Sequence, residues 1–86
     1  MKYWNKNPRA RKHWTVVDYN VRTSNIDLVR YFELDGALRN AKVWCQRQDS
    51  TARFYFQVPN WMNYETIWYF EDPKDALLFT LKWKSS

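Results

Sequence analysis

The sequence of 86 residues has one glycine, one cysteine, one histidine and three prolines. A single cysteine cannot form an internal disulfide, which excludes a small fold held together by disulfide bridges. Cys45 and His13 offer no spacing that suits zinc, and Gly36 alone cannot build a phosphate-cradling loop. Because catalysis needs clustered titratable groups in a cleft, we expect no enzyme, no metal and no cofactor. Cys45 falls on an apolar helical stripe, where we expect a buried structural thiol.

Long apolar runs are absent too. No stretch approaches the roughly 18 residues that a membrane-spanning helix needs, so we expect no membrane partner. The first twelve residues are basic and lack the apolar segment of a secretory signal. Together with the lack of disulfides, these features predict a soluble protein in a reducing cytoplasm.

Aromatic residues are abundant, in contrast. Six tryptophans, six tyrosines and five phenylalanines make up 20% of the chain, and hydrophobic residues as a whole make up 45%. Such a chain has far more surface to bury than a disordered sequence. Because its length allows one hydrophobic core, we predict a single small folded domain.

The net charge of +5 is concentrated near the N-terminus. Five basic residues precede the first acidic residue, Asp18: Lys2, Lys6, Arg9, Arg11 and Lys12. Nine of the 14 basic residues remain in the body of the chain, where they balance all nine acidic residues. We therefore divide the chain into a basic N-terminal arm, residues 1–12, and a single α+β domain, residues 13–86. Such an arm attracts phosphate or an acidic protein surface, and the alternative is a solvated terminus that aids solubility.

One sequence pattern occurs twice. The run Tyr-Phe-Glu begins at Tyr31 and again at Tyr69, and in both copies an Ala-Leu pair precedes a Trp by the same distance. Residues upstream of each copy alternate between apolar and polar, which is typical of strands. We therefore predict a duplicated β-β-α unit, with repeat one at 13–48 and repeat two at 52–84. Two such units would form a four-stranded antiparallel sheet with two helices on one face.

The predicted strands cover residues 13–21, 26–34, 52–58 and 64–71, and the predicted helices cover 36–48 and 73–83. Asp35 and Asp72 are the predicted N-caps, and Pro73 suits the first helical position. The alternative is one long helix over 24–48, because six residues loosely keep helical spacing: Ile26, Val29, Phe32, Ala37, Ala41 and Trp44. The expected core combines helix and sheet residues: Leu38, Ala41, Trp44, Cys45, Ala76, Phe79, Thr80, Trp83, Phe32, Phe54, Phe56, Trp68 and Phe70.

Helices on one side of the sheet leave the other face open. Its predicted side chains include Tyr31, Arg53, Tyr55, Ile67 and Tyr69, a set that is unusually aromatic for contact with water. Trp61 and Met62 lie at the predicted tip of the turn between the last two strands. We expect these seven residues to bind a partner protein. The alternatives for the face are ordinary cross-strand packing, a homodimer interface, or a platform for bases.

The C-terminal stretch reads Tyr-Phe-Glu-Asp-Pro-Lys-Asp-Ala from Tyr69, followed by Phe79, Leu81 and Trp83. It resembles an ending found in small uncharacterised accessory proteins of tailed bacteriophages. The resemblance is confined to residues 69–83, and the earlier copy lacks the proline and has Asn40 in place of Phe79. It implies a phage-encoded accessory protein, made in the cytoplasm of a bacterial host, that binds a host protein. It implies no activity and no site residues.

Three functions follow from these features. The first is a non-enzymatic protein that binds a partner protein through the open sheet face, Trp61 and Met62. The second is a nucleic-acid-binding protein whose arm contacts phosphates and stacks on bases: Lys2, Tyr3, Trp4, Lys6, Arg9, Arg11 and Lys12. The third is a minor structural component of a virion.

Overall fold

The computed structural model describes residues 1–4, 13–20 and 31–84, with the backbone alone at 31–35 and 61. Its strands are β1 (Lys2–Tyr3), β2 (Thr15–Asn20), β3 (Arg53–Asn60) and β4 (Glu65–Phe70). Helix α1 spans Tyr31–Gln46, and helix α2 spans Pro73–Phe79 and continues into a π-helical segment, Thr80–Lys84. A 3-10 turn, Trp61–Asn63, joins β3 to β4. The predicted α+β class is confirmed. No helix within these ranges combines the length and the apolar character needed to cross a bilayer.

The four strands form one sheet in the order β1-β3-β4-β2. β4 pairs antiparallel with both β3 and β2, whereas β1 pairs parallel with β3. The sheet is therefore mixed, and the prediction of a purely antiparallel sheet is wrong. The N-terminal segment supplies the edge strand: Lys2 N–H donates to Ala52 O at 2.9 Å and Trp4 N–H donates to Phe54 O at 2.7 Å. Two residues are too few to show any strand periodicity, so the alternation pattern could not reveal β1.

Helix α1 corrects the first predicted repeat. Residues 31–34 were assigned to a strand, but they are helical, and residues 26–30 lie outside the described residues. Asp35 therefore lies inside α1 and does not cap it. The alternative of one long helix agrees with the backbone over Tyr31–Gln46. The physical reason is the buried stripe of Leu38, Ala41 and Cys45, whose spacing is that of a helix packed by one face.

The second predicted repeat matches the observed order of β3, β4 and α2. Asp72 caps α2, and its carboxylate accepts a hydrogen bond from Lys74 N–H at 2.9 Å, with Pro73 in the first turn. Ala76 and Phe79 then face the sheet and are buried. Since the first repeat lacks the predicted strand over 31–34, the duplicated β-β-α unit is not confirmed.

The core lies between the sheet and the two helices. Most of the expected core residues are buried: Leu38, Ala41, Cys45, Phe54, Trp68, Phe70, Ala76 and Phe79. Trp44, Phe56, Thr80 and Trp83 are half-buried, and the side chain of Phe32 lies outside the description. The ring of Trp68 lies 4.5 Å from that of Phe56 and 4.7 Å from that of Phe79. Its indole N–H donates to Thr66 Oγ1 at 2.9 Å, and that hydroxyl donates to Tyr19 O at 2.6 Å.

Met1 is also part of the core. Its side chain is buried, and its amino group donates to Cys45 O at 3.0 Å and to Gln48 O at 2.8 Å. These carbonyls lie at the C-terminal end of α1, where a positive charge is favourable. Burial raises the pKa of the Cys45 thiol to about 12, so the thiol is protonated at neutral pH and a poor nucleophile.

Replacing the Thr66 hydroxyl tests the buried hydrogen bonds. Thr66→Val keeps the side-chain shape but leaves the indole N–H of Trp68 without its acceptor, so we expect the free energy of unfolding to fall by about 1 to 3 kcal/mol. Chemical denaturation followed by tryptophan fluorescence measures this change. The matched control is Thr80→Val, because the Thr80 hydroxyl bonds only to Ala76 O one helical turn earlier. Equal losses in the two variants would contradict the role given to Thr66.

Candidate functional site: a basic groove lined by tryptophan

A groove of about 490 Å³ lies between α1 and the π-helical segment. Seven residues line it: Arg39, Asn40, Val43, Trp44, Arg47, Lys82 and Trp83. We call this site the basic groove. Its volume falls in the range of about 300 to 1,000 Å³ that is usual for small-ligand sites. None of the seven residues was predicted to bind a ligand, and Trp44 and Trp83 were predicted as core.

Helical spacing brings the α1 residues together. Arg39 and Val43 lie four residues apart on one side of α1, and Arg47 directly after the helix continues this row, since its N–H donates to Val43 O at 3.1 Å. Asn40 and Trp44 form a parallel row. Lys82 and Trp83 approach from the π-helical segment. Helical turns of this wide type are rare and occur frequently at functional sites.

The two tryptophans of the groove are held by the core. Their rings lie 6.3 Å apart at 89°, an edge-to-face arrangement. Both rings contact Phe79, at 6.3 Å for Trp44 and 6.4 Å for Trp83, and Trp83 also lies 6.4 Å from Tyr19. Because each ring is half-buried, it combines a fixed position with apolar surface that faces the groove.

The charged side chains of the groove all have the same sign. Arg39, Arg47 and Lys82 are exposed, and the seven lining residues include no carboxylate. Two arginines eight residues apart on a helix are separated by about 12 Å along its axis. The groove therefore offers positive charge at several points around a pair of aromatic rings. This combination suits an anionic ligand that also carries a flat ring.

The predicted partner residue Arg53 lies elsewhere, on the sheet. Its guanidinium forms a bidentate ion pair with Glu71, at 2.6 Å and 3.2 Å, and the hydrogen bond raises the pKa of Arg53. The same guanidinium lies 4.5 Å from the ring centre of Trp4 and 5.6 Å from that of Trp14. Arg53 thus joins the beginning of the chain to the residue that precedes β2.

The other predicted partner residues are divided between two places. Tyr55 and Tyr69 pack together on the sheet with their rings 5.8 Å apart, and Ile67 beside them is half-buried. Tyr31 belongs to α1, so its predicted position on the sheet face is wrong. Met62 is 85% exposed in the 3-10 turn, and the Trp61 side chain lies outside the description.

The residues predicted to contact nucleic acid are only partly described. Lys2 and Tyr3 form β1, and the Tyr3 ring packs 5.4 Å from Phe54 and 5.7 Å from Phe56, with Lys42 Nζ 4.3 Å above it. Burial raises the pKa of the Tyr3 hydroxyl. Tyr3 and Trp4 are thus engaged in the fold. Four residues of the arm lie outside the described residues, and their role stays a prediction: Lys6, Arg9, Arg11 and Lys12.

The described residues contain no group of three His, Cys, Asp or Glu side chains that could hold a metal ion. The buried carboxylate in this part of the chain belongs to Asp75, and Ser50 Oγ donates to it at 2.7 Å. Asp75 is therefore a structural residue that joins α2 to the segment before β3.

The chain matches no protein-family model, no curated protein and no solved structure. The resemblance to phage accessory proteins therefore stays a prediction.

The contacts of Arg53 predict that it contributes more to thermal stability than Arg47 does. Arg53→Lys removes the bidentate pairing and the planar stacking against two tryptophans, so we expect a lower midpoint of thermal unfolding. The matched control is Arg47→Lys, since Arg47 is exposed in the basic groove and its replacement keeps the charge. Circular dichroism measures both midpoints. If Arg53→Lys unfolds at the same temperature as Arg47→Lys, the ion pair and its stacking contribute nothing to stability.

Proposed function

We propose that the protein binds single-stranded nucleic acid in the basic groove, without catalysing a reaction. One observation carries this proposal: three cations and two tryptophans line the same groove, with no carboxylate among the lining residues. Lysine and arginine neutralise backbone phosphates, and aromatic rings stack on bases. The overall charge of +5 acts in the same direction by attracting a polyanion.

The spacing of the cations supports an extended strand. Arg39 and Arg47 are about 12 Å apart along the axis of α1, which covers roughly two phosphate intervals, because an extended strand spaces its phosphates more widely than the rise of about 3.4 Å per nucleotide in a duplex strand. Lys82 lies on the opposite side of the groove. A strand that follows α1 would therefore meet cations at both ends of its path and on its other side.

The tryptophans favour unpaired bases. In a duplex the faces of the bases are stacked on one another, so Trp44 and Trp83 could reach them only in a single strand. Asn40 lies one helical turn before Trp44, and its amide offers both a donor and an acceptor to the edge of a base. The groove thus contains groups that suit the phosphates, the faces and the edges of a short single-stranded segment.

Neutralising the groove should change the salt dependence of binding. We expect Arg39→Gln/Arg47→Gln/Lys82→Gln to flatten the plot of log affinity against log salt by about 2 on single-stranded DNA, because three phosphate contacts are lost. Fluorescence anisotropy of a labelled oligothymidine between about 50 and 200 mM salt measures the slope. The matched control is Lys42→Gln/Lys74→Gln/Lys84→Gln, which makes the same change in charge outside the groove.

Three results would contradict the proposal. Equal flattening by both triple variants would mean that net charge alone attracts the strand. Undetectable binding of the unaltered protein at about 50 mM salt, where phosphate contacts are strong, would remove nucleic acid as the ligand. Tight binding to duplex DNA whose affinity is the same in the groove variant and the unaltered protein would indicate that the basic arm makes the phosphate contacts. Neutralising Arg9, Arg11 and Lys12 would then test the arm.

A second candidate function is the binding of a partner protein, as expected of a phage accessory protein in its host. The supporting observation is Met62, which is 85% exposed. The turn that carries it is well defined: Asn60 Oδ1 accepts from Met62 N–H at 2.9 Å, and Tyr64 closes the turn in the left-handed region at φ 58°. A large apolar side chain on an ordered turn is a typical anchor for a partner.

Met62→Ser tests this second function. We expect it to remove a captured protein from a nuclease-treated bacterial lysate while leaving the unfolding midpoint unchanged, because Met62 contributes little to the core. Val16→Ser is the control, since Val16 is 55% exposed on β2. Capture that survives Met62→Ser would exclude the turn as the binding site.

A further inference from the structure

Three leucines on the C-terminal helical stretch point away from the core. Leu77, Leu78 and Leu81 are 60%, 47% and 59% exposed, whereas the neighbouring Ala76 and Phe79 are buried. We call the three residues the leucine face. A single exposed leucine is ordinary on a protein surface, but three that lie within one helical turn of each other form a continuous apolar patch of the kind found at interaction sites.

The exposed charges on the helical stretch that carries the leucine face have one sign. Lys74 lies one turn before it, Lys82 and Lys84 follow it, and all three are exposed. The acidic residues of the same stretch are engaged: Asp72 caps α2 through Lys74 N–H, and the buried Asp75 accepts a hydrogen bond from Ser50. The apolar patch therefore has a basic rim, with no exposed carboxylate over 72–84.

We propose that the leucine face binds an acidic amphipathic helix of a partner protein. Leucines one turn apart form a ridge, and helices pack by placing such ridges into the grooves of a neighbouring helix. Carboxylates at the edge of the partner helix would meet the lysine rim, which fixes orientation and selects the partner by charge.

The charges and the aromatic residues distinguish this partner from two others. In a contact between two copies of the chain, the lysine rims would approach each other, and like charges oppose such a contact. Helices that lie on a lipid surface bury Trp, Phe or Leu at the acyl boundary, and their binding strength scales with the apolar area that they bury. Here Phe79 is buried and Trp83 packs on Phe79 and Tyr19, so the leucine face offers three leucines alone, which is a small area for a bilayer. The leucine face is also separate from the basic groove, because Lys82 alone belongs to both regions.

Three synthetic helical peptides provide the probe. Each has about 20 residues, which form about 30 Å of helix, with leucines at the same helical spacing and with Glu, Gln or Lys at the flanking positions. We expect the Glu peptide to bind most tightly in fluorescence anisotropy. Leu77→Ser/Leu81→Ser should weaken its binding by roughly 30-fold or more, as for the loss of a central anchor. Val16→Ser is the matched control, since Val16 is 55% exposed on β2, and should leave the affinity unchanged.

Charge exchange makes the test specific. Lys74→Glu/Lys84→Glu should reverse the preference from the Glu peptide to the Lys peptide. This variant keeps Lys82 and all three leucines of the leucine face. The proposal would be overturned by no binding of the Glu peptide at about 100 µM, by equal binding of the three peptides, by binding that survives the leucine variant, or by equal loss in Val16→Ser. Leucine-dependent binding to phosphatidylserine vesicles without peptide binding, or leucine-dependent self-association in sedimentation, would overturn it in favour of a lipid surface or a second copy.

Discussion

The indole of Trp68 contacts rings from β3 and α2 and is hydrogen-bonded towards β2. Phe56 and Phe79 lie against its faces, and its N–H reaches Tyr19 O through the hydroxyl of Thr66. A buried polar group is tolerated only when it is satisfied, so this chain of hydrogen bonds restricts how β2, β4 and α2 can be arranged. The packing around Trp68 continues to the surface, because Phe79 also contacts both tryptophans of the basic groove. The position of those rings therefore depends on the same core that holds the sheet together.

Local signals in the sequence were sufficient for the second half of the fold. Alternating residues identify β3 and β4, and Asp72 followed by Pro73 identifies the start of α2, because strand pleating and helix capping are decided by neighbouring residues. Residues 31–34 were predicted wrongly as a strand. Their apolar residues fit both a strand and a helix, and the apparent duplication favoured the strand. β1 could not be predicted, because its two residues are fixed by pairing with a segment far away in the chain.

The site was harder to predict than the fold. The net charge of residues 13–86 is zero, so counting charges could not indicate that Arg39, Arg47 and Lys82 lie around one groove. Alternation correctly placed Arg53 on the face of the sheet opposite the core, but it could not indicate that Glu71 and two tryptophans would surround its guanidinium. Charge counting describes how much charge a chain carries, whereas a binding site depends on which charges meet in space. The spacing of Arg39, Val43 and Arg47 was the signal available, since the predicted helix over 36–48 contains all three residues.

The π-helical segment makes the basic groove sensitive to the width of one helical turn as well as to the identity of its residues. In an α-helix each residue turns the chain by about 100°, and a π turn accommodates an extra residue in a wider loop. If the same residues formed a regular α-helix instead, the residues beyond the turn would be rotated about the helix axis. Lys82 and Trp83 would then leave the groove although both were still present in the sequence. Two chains with the same groove residues therefore differ in whether they have the groove at all when one forms the wide turn and the other does not.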